Sequence, residues 1–282
     1  MTDEAAGPRL TAVGPTPSAC LSSLERSWGL ETPIADESLK RSIAIDGPTA
    51  SGKSVVGRAL ADALGLGFFD TGLMYRACTL AVQQSDVDLE DEAGVIHLVR
   101  GLALDMRWPE PNNPRVYLDG EDVTPALREL EIEQNVSLIS RIPEVRDELV
   151  RRQRAIATRE PVVMAGRDIG TRVLFEARTK IFLDASTEIR ARRRLGEELD
   201  SGRQTTFEQV LAATRRRDEM DNTGHRAVRR EQAADGAVII DTDALGIDQV
   251  VERCIEAYRE FNEAGGAHAE RAGDAPEAGG ER

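Results

Sequence analysis

The run Gly47-Pro48-Thr49-Ala50-Ser51-Gly52-Lys53-Ser54 satisfies every fixed position of the phosphate-binding pattern G-x-x-x-x-G-K-S/T. Glycines let the main chain close on a polyphosphate without a Cβ in the way. Successive backbone N–H groups at the start of a helix form a concavity that favours anions. Lys53 is then placed to reach the β- and γ-phosphates, and the Ser54 hydroxyl to ligate Mg²⁺. The pattern points to a nucleoside triphosphate such as ATP and leaves open what is done with it.

Three further clusters carry reactive side chains. Asp70-Thr71-Gly72-Leu73-Met74-Tyr75-Arg76 puts a hydroxyl, a phenol and a guanidinium within about one helical turn. Thr71 and Arg76 suit a second phosphate and Tyr75 a base or sugar, the plainer alternative being a helix cap, a core tyrosine and a surface arginine. Gly166-Arg167-Asp168-Ile169-Gly170-Thr171 offers a two-pronged phosphate grip through Arg167. Asp168 there suits a Mg²⁺-bound water or a substrate hydroxyl. The third cluster is Arg190, Arg192, Arg193 and Arg194, followed by Arg215, Arg216 and Arg217 ahead of Asp218 and Asp221. That local excess of cations suits a lid over a transferring phosphoryl group. Solvated i,i+4 pairs such as Glu188–Arg192 account for at least half of these arginines.

The elements that position these clusters follow from hydrophobic periodicity. Ser42–Asp46 is an apolar, β-branched run before the glycine loop, and Ser54–Leu64 carries Val56, Ala59, Leu60, Ala63 and Leu64 on one helical face before Gly65. Further strand-like runs are Gly67–Asp70, Pro161–Ala165, Lys180–Asp184 and Ala237–Asp241. Continuous apolar strands separated by helices predict a parallel sheet covered on both faces. Ligands bind such sheets at the carboxyl ends of the strands, where all three clusters fall. Residues of about 86–136 break the alternation. A helical stretch Glu92–Leu104 is followed by strand candidates Leu104–Trp108 and Arg115–Leu118 around a Pro/Asn turn, a small antiparallel insertion.

Composition bounds the rest. The 282-residue chain accommodates one substantial domain. Its formal charge of -14 argues against general nucleic-acid or membrane-surface binding. Only Lys40, Lys53 and Lys180 are lysines, which fits either a salt-adapted source or a GC-rich genome. Cys20, Cys78 and Cys254 lack metal-ligand spacing and read as thiols of a reducing cytoplasm. No window reaches transmembrane length, and the N-terminus lacks a secretory pattern. Residues 1–39 and 262–282 are expected to be disordered extensions, and residues 40–261 the working domain.

The phosphate loop, D-T-G-x-x-Y-R, G-R-D-I-G-T, K-I-F-L-D-A-S and the Arg-rich segment with R-D-x-x-D occur in the order and spacing of bacterial cytidylate kinases. The resemblance covers about Ser42 to Phe261. It implies an α/β fold of the P-loop NTPase type, a parallel sheet flanked by helices, with a small inserted NMP-binding domain at about 86–136 and an Arg-rich lid at about 186–230. It implies phosphoryl transfer from Mg²⁺·ATP to CMP or dCMP by a cytoplasmic enzyme, taken as a monomer. By the same resemblance, Thr71, Tyr75 and Arg76 belong to the monophosphate pocket, and Ser137, Arg146 and Asp221 read cytosine. Arg167 and Asp168 meet the substrate phosphate and sugar, Arg217 the transferring phosphates, and Arg190 stacks on adenine. Cytosine's amino donor and ring acceptors suit Ser, Asp and Arg in those places.

The chain departs from the family pattern twice. The family has an acid just before G-R-D, where this chain has Ala165, so Asp168 is expected to carry the metal-side load alone. The family also has an arginine three residues beyond the base-reading aspartate, whereas here the next is Arg226, five residues beyond Asp221. Rival readings are the same chemistry on another nucleotide, a GTPase-like switch, for which an N-K-x-D motif is missing, and a binding-only relative.

Overall fold

The computed structural model describes residues 33–110, 112–222 and 229–272, with side chains described up to Asn262. The chain divides into a unit Met1–Pro33, which lies outside the described residues but for Pro33, and a unit Ile34–Arg282. Cys20, Arg226, residues 1–32 of the expected N-terminal extension and residues 273–282 of the expected C-terminal one are likewise outside the described residues.

Five short strands form the central sheet: β1 (Ile43–Asp46), β2 (Gly67–Asp70), β6 (Val162–Ala165), β7 (Thr179–Asp184) and β8 (Val238–Asp241). All are parallel, in the order β2-β6-β1-β7-β8. Side chains alternate across a strand, so each strand feeds two cores. On one face lie Ile43, Ile45, Phe68, Val163, Ile181 and Leu183, packed against Val56 and Leu60 of α2 (Lys53–Leu64) and Val250 and Cys254 of α9 (Ile247–Ala272). On the other lie Ala44, Phe69, Val162 and Met164, covered by α3 (Gly72–Gln83), α4 (Glu92–Gly101), α5 (Leu130–Ser140) and α6 (Pro143–Ala157). Burial on both faces explains why the strands read as unbroken apolar runs.

The insertion is a three-stranded antiparallel sheet of β3 (Leu104–Glu110), β4 (Asn113–Leu118) and β5 (Glu121–Asp122). Val116 and Leu118 bury against Ala77 and Leu80 on the far side of α3, with Leu127 and Ile132. The Trp108 indole N–H donates to the Phe68 carbonyl at 3.0 Å, tying the insertion to β2. The two arginine-bearing helices are α7 (Thr187–Asp200) and α8 (Phe207–Asn222).

Both expected extensions are shortened. A helix, α1 (Pro33–Arg41), begins inside the stretch read as an extension, because Leu39 is buried in the core beside Ala157 and Ala177. At the other end α9 continues to Ala272, past the expected boundary at 262, through a segment rich in Ala and Glu, which favour helix. The helix expected over Glu92–Leu104 stops at Gly101, and Leu104 opens β3.

Gly57 in α2 supplies a test of the packing. A Cβ there would fall within the contact radius of Phe68 Cε2 and 3.0 Å from Cδ2, on a ring with no exposed surface. Alanine gains about 1 kcal/mol of helix propensity over glycine. Overpacking a closed core costs about 1–3 kcal/mol. Gly57→Ala is therefore expected to lower the urea midpoint despite the better helix former, read as a shift in Cm at unchanged m-value.

Candidate active site

The phosphate loop leaves β1 at Asp46 and enters α2 at Lys53. Gly47 has φ +145°, and a Cβ on it would collide with the Leu183 carbonyl oxygen of β7. No other residue fits that passage between strands. Gly52, at φ +98°, turns the chain into the helix, and Ala50 also holds a left-handed conformation at φ +59°. Lys53 Nζ folds back over the loop and donates to the Pro48 carbonyl at 2.5 Å and to Ser51 Oγ at 3.4 Å. Burial pushes its pKa down to about 7, and the Arg167 guanidinium pushes the same way. Asp70 and Asp46 pull in the opposite direction.

A cleft of about 1150 Å³ opens above the loop at the carboxyl ends of β1, β2 and β6. Lys53, Ser54, Tyr75, Arg76, Arg146 and Arg167 line it, and so do Asp168, Arg217 and Asp221. Thus the motifs spread over more than 160 residues of sequence meet in one place. Arg146, on α6, is ion-paired with Asp168, and both are buried. Its second amino group donates to the Ser140 carbonyl at 3.2 Å, and its guanidinium lies 5.8 Å from the Tyr75 ring centre. Arg167 donates to Thr49 Oγ1 of the phosphate loop and pairs with Asp221. Arg217 Nε approaches the same Asp221 carboxylate at 3.4 Å, and another of its nitrogens donates to the Glu133 carbonyl of α5 at 3.1 Å.

The remaining residues read from the sequence divide. Thr71 Oγ1 donates to the Ala165 carbonyl at 2.9 Å, which fastens α3 to the end of β6. Ser137 Oγ and Arg76 Nε are buried with no hydrogen-bond partner among the described residues, as expected of groups awaiting a polar ligand. Arg190, expected from the resemblance to stack on adenine, has its N–H groups committed within the protein. It is buried, and its five N–H groups go to the Ala185 and Thr49 carbonyls, Thr187 Oγ1 and both oxygens of Asp218. It braces the phosphate loop against α7 and α8. Arg193 does similar work, donating to the Ser51 carbonyl at 3.3 Å and the Thr242 carbonyl at 2.7 Å. Asp221, expected to read cytosine, is fully buried between the guanidinium groups of Arg167 and Arg217.

Three site groups were not singled out from sequence. Asp46, at the end of β1, accepts from the Ile169 and Gly170 N–H groups at 2.8 Å each and so holds the Arg167–Asp168 turn against the phosphate loop. Its burial pushes the carboxyl up to about 6 against those two donors. Glu133 on α5 receives Arg194 of α7 and Arg203, joining the arginine-bearing helices to the opposite wall. Asp70 accepts the Ser54 hydroxyl at 2.7 Å. Asp46 and Glu133 are signalled in the sequence only by position, at the close of an apolar strand and on the polar side of an amphipathic helix, whereas Asp70 opens the D-T-G-x-x-Y-R motif with no role of its own legible there.

A parallel sheet of order β2-β6-β1-β7-β8 with a phosphate loop after β1 and arginines converging above it defines an α/β nucleotide phosphotransferase of the P-loop type. Residues 43–260 match the family described as Cytidylate kinase. The chain is 46% identical over 217 residues to the cytidylate kinase of Caldanaerobacter subterraneus subsp. tengcongensis, spanning 77% of this chain and 94% of that protein. It is 44% identical over 222 residues to that of Anoxybacillus flavithermus, spanning 78% and 97%. A solved gluconokinase from Sinorhizobium meliloti 1021 covers 79% of this chain and 94% of its own at 17% identity, with a TM-score of 0.40. The chain belongs to the cytidylate kinase family.

The lowered Lys53 pKa has a measurable sign. Free enzyme at pH 8 holds Lys53 mostly neutral, because its pKa lies near 7. A bound polyphosphate favours the ammonium form. ATP binding at pH 8 is therefore expected to take up close to one proton at that site, falling towards none at pH 6, where the lysine is already charged. Calorimetry in buffers of different ionisation enthalpy measures the net uptake, and the difference between wild type and Lys53→Met isolates the lysine's share from those of the ATP γ-phosphate and Asp46, which titrate in the same range.

Proposed function

We propose that this protein transfers the γ-phosphoryl group of ATP to CMP or dCMP, giving ADP and CDP or dCDP. An oxygen of the acceptor phosphate attacks the γ-phosphorus, the bond to the β-bridging oxygen breaks, and ADP leaves. The observation that carries this reading is the union in one cleft of the phosphate loop with the buried Arg146–Asp168–Tyr75 corner. The loop is suited to a donor triphosphate and the corner to the edge of a base. Between them Arg76, Arg167 and Arg217 face the place where two phosphate chains would meet.

The chain's own groups account for the chemistry by position and charge. Lys53 and the loop N–H groups hold the donor phosphates. Arg167 and Arg217, pre-set by Asp221, neutralise charge on the transferring group without reorganising. Arg146 donates to ring acceptors of cytosine, while Asp168 and Ser137 accept from its amino group. Uracil reverses part of that pattern and leaves buried groups unpaired, at about 1–3 kcal/mol each.

The site also suits Mg²⁺. The groups at hand are oxygens, the Ser54 hydroxyl with the Asp70 carboxylate behind it. Among the described residues no cluster of three or more His, Cys, Asp or Glu side chains could hold a metal ion. Such a sparse site matches the habit of Mg²⁺ of binding through one or two protein groups and the substrate phosphates. When bound, Mg²⁺ supplies charge neutralisation at the β- and γ-oxygens. We further propose a cytoplasmic monomer acting without nucleic-acid or membrane partners. The acidic charge of -14 supports this, and no helix among the described residues is long and apolar enough to cross a membrane.

Steady-state phosphorylation of CMP, dCMP, UMP and AMP tests the acceptor. CMP and dCMP are expected to lead, and equal rates on AMP would overturn the reading. Lys53→Ala should cost about 10²–10³ in kcat with the circular dichroism spectrum unchanged, the scale of losing one transition-state electrostatic contact. Arg146→Met should lower the CMP/UMP ratio of kcat/KM by about 10- to 100-fold, the worth of one or two unpaired base-edge groups. A constant ratio would remove Arg146 from base reading.

A further inference from the structure

The carboxyl edge of the central sheet is a row of aspartates with one gap. β1, β2, β7 and β8 end in Asp46, Asp70, Asp184 and Asp241, whereas β6 ends in Ala165. β6 lies beside the phosphate-loop strand, and P-loop enzymes hold Mg²⁺ through the loop Ser/Thr together with an aspartate. We infer that Asp70, one strand further out, is the positioning carboxylate for the cation held at Ser54.

Register, hydrogen bonding and competition support the assignment. Asp70 is the direct partner of Ala165 across the β2–β6 pair, so its carboxylate stands beside the gap. Ser54 Oγ donates to Asp70 Oδ2 at 2.7 Å. A hydroxyl has one proton and two lone pairs. With the proton committed to Asp70, the lone pairs are left to face a cation. The other carboxylate oxygen, Oδ1, accepts the Gly72 N–H at 2.9 Å, so the group cannot swing away. Asp70 also lines the cleft and contributes to the field at Lys53. Asp168, the carboxylate expected from sequence to compensate for Ala165, is instead buried in its pair with Arg146. Asp46 is committed to the Ile169 and Gly170 amides.

Asp70 acts through Ser54. It aims the hydroxyl and adds negative charge behind it, as outer partners of metal ligands do at about 10- to 100-fold in affinity or activity. A purely structural role is the alternative, with Asp70 serving as a cap for the Gly72 amide at the start of α3. Asparagine separates the two, because its carbonyl oxygen keeps the cap and its side chain has no charge.

The inference rests on the reading of this cleft as an ATP site, and its test is a metal-linkage measurement that needs no acceptor. ATP affinity is measured by calorimetry for wild type, Asp70→Asn and Asp70→Asn/Ala165→Asp, in EDTA and in Mg²⁺, with thermal melts to confirm folding. In Asp70→Asn the tightening of ATP by Mg²⁺ is expected to fall about 10- to 100-fold, while ATP affinity in EDTA stays the same or improves. Adding Ala165→Asp is expected to restore part of the tightening, by returning a carboxylate to the neighbouring strand end. Mg²⁺ linkage unchanged in Asp70→Asn would overturn the inference, and so would an equal loss of affinity with and without metal. Should Asp70→Asn fail to fold, Asp70→Ser, which also keeps an oxygen for the cap and carries no charge, takes its place. The Mg²⁺ tightening should fall by the same factor, and unchanged linkage sinks the idea. Normal Mg²⁺ linkage in wild type with no turnover of CMP would overturn the proposed acceptor alone.

Discussion

A cleft built to receive two phosphate chains must hold several cations close together before any phosphate arrives. Arg146, Arg167 and Arg217 share one cavity with Lys53, and like charges at such range repel in a partly buried setting. Buried carboxylates meet this constraint. Asp168 holds Arg146, Asp221 sits between Arg167 and Arg217, and Asp46 and Asp70 offset the field at Lys53. These pairs desolvate charge, which is weak evidence of stability. Their value is pre-organisation: the arginines already point into the cleft, so little reorganisation is left for the chemical step.

The same logic ties separate loops into one unit. Asp46 is the last residue before the phosphate loop, yet its acceptors serve amides just after Asp168. The phosphate loop and the Arg167–Asp168 turn are thereby fastened through a single carboxylate. Its raised pKa records how strongly burial opposes keeping that group charged. Arg190 and Arg193 perform the complementary task, anchoring the loop's Thr49 and Ser51 carbonyls to α7.

Polar contacts join the arginine-bearing helices to the opposite wall. Glu133 collects Arg194 and Arg203 through its side chain and Arg217 through its carbonyl, and all of these span from α5 to the region of α7 and α8. Ion pairs of this kind are partly exposed and yield to competing phosphate or salt more readily than a packed apolar seam. They suit a wall that must admit and release charged substrates.

Much of this protein is decided by local sequence. The glycine pattern with its lysine and serine, the apolar runs of the five parallel strands and the turn-rich insertion all rest on short-range rules of periodicity and backbone conformation. Those strands and the antiparallel insertion appear close to where periodicity puts them. Local rules fell short where partners are distant in sequence. Composition makes residues 33–39 look like part of a solvated tail, but Leu39 is buried in a core cluster that includes Ala157 and Ala177, more than 100 residues away. Arg190 is one cation among many in its helix, and only tertiary packing brings five acceptors around it. The Asp70–Ala165 register, the Ser54–Asp70 bond and the Asp46 bridge depend on which strands become neighbours. Strand order is set by long-range burial, which a local pattern does not encode, so it falls to the tertiary structure to decide which carboxylate serves which cation.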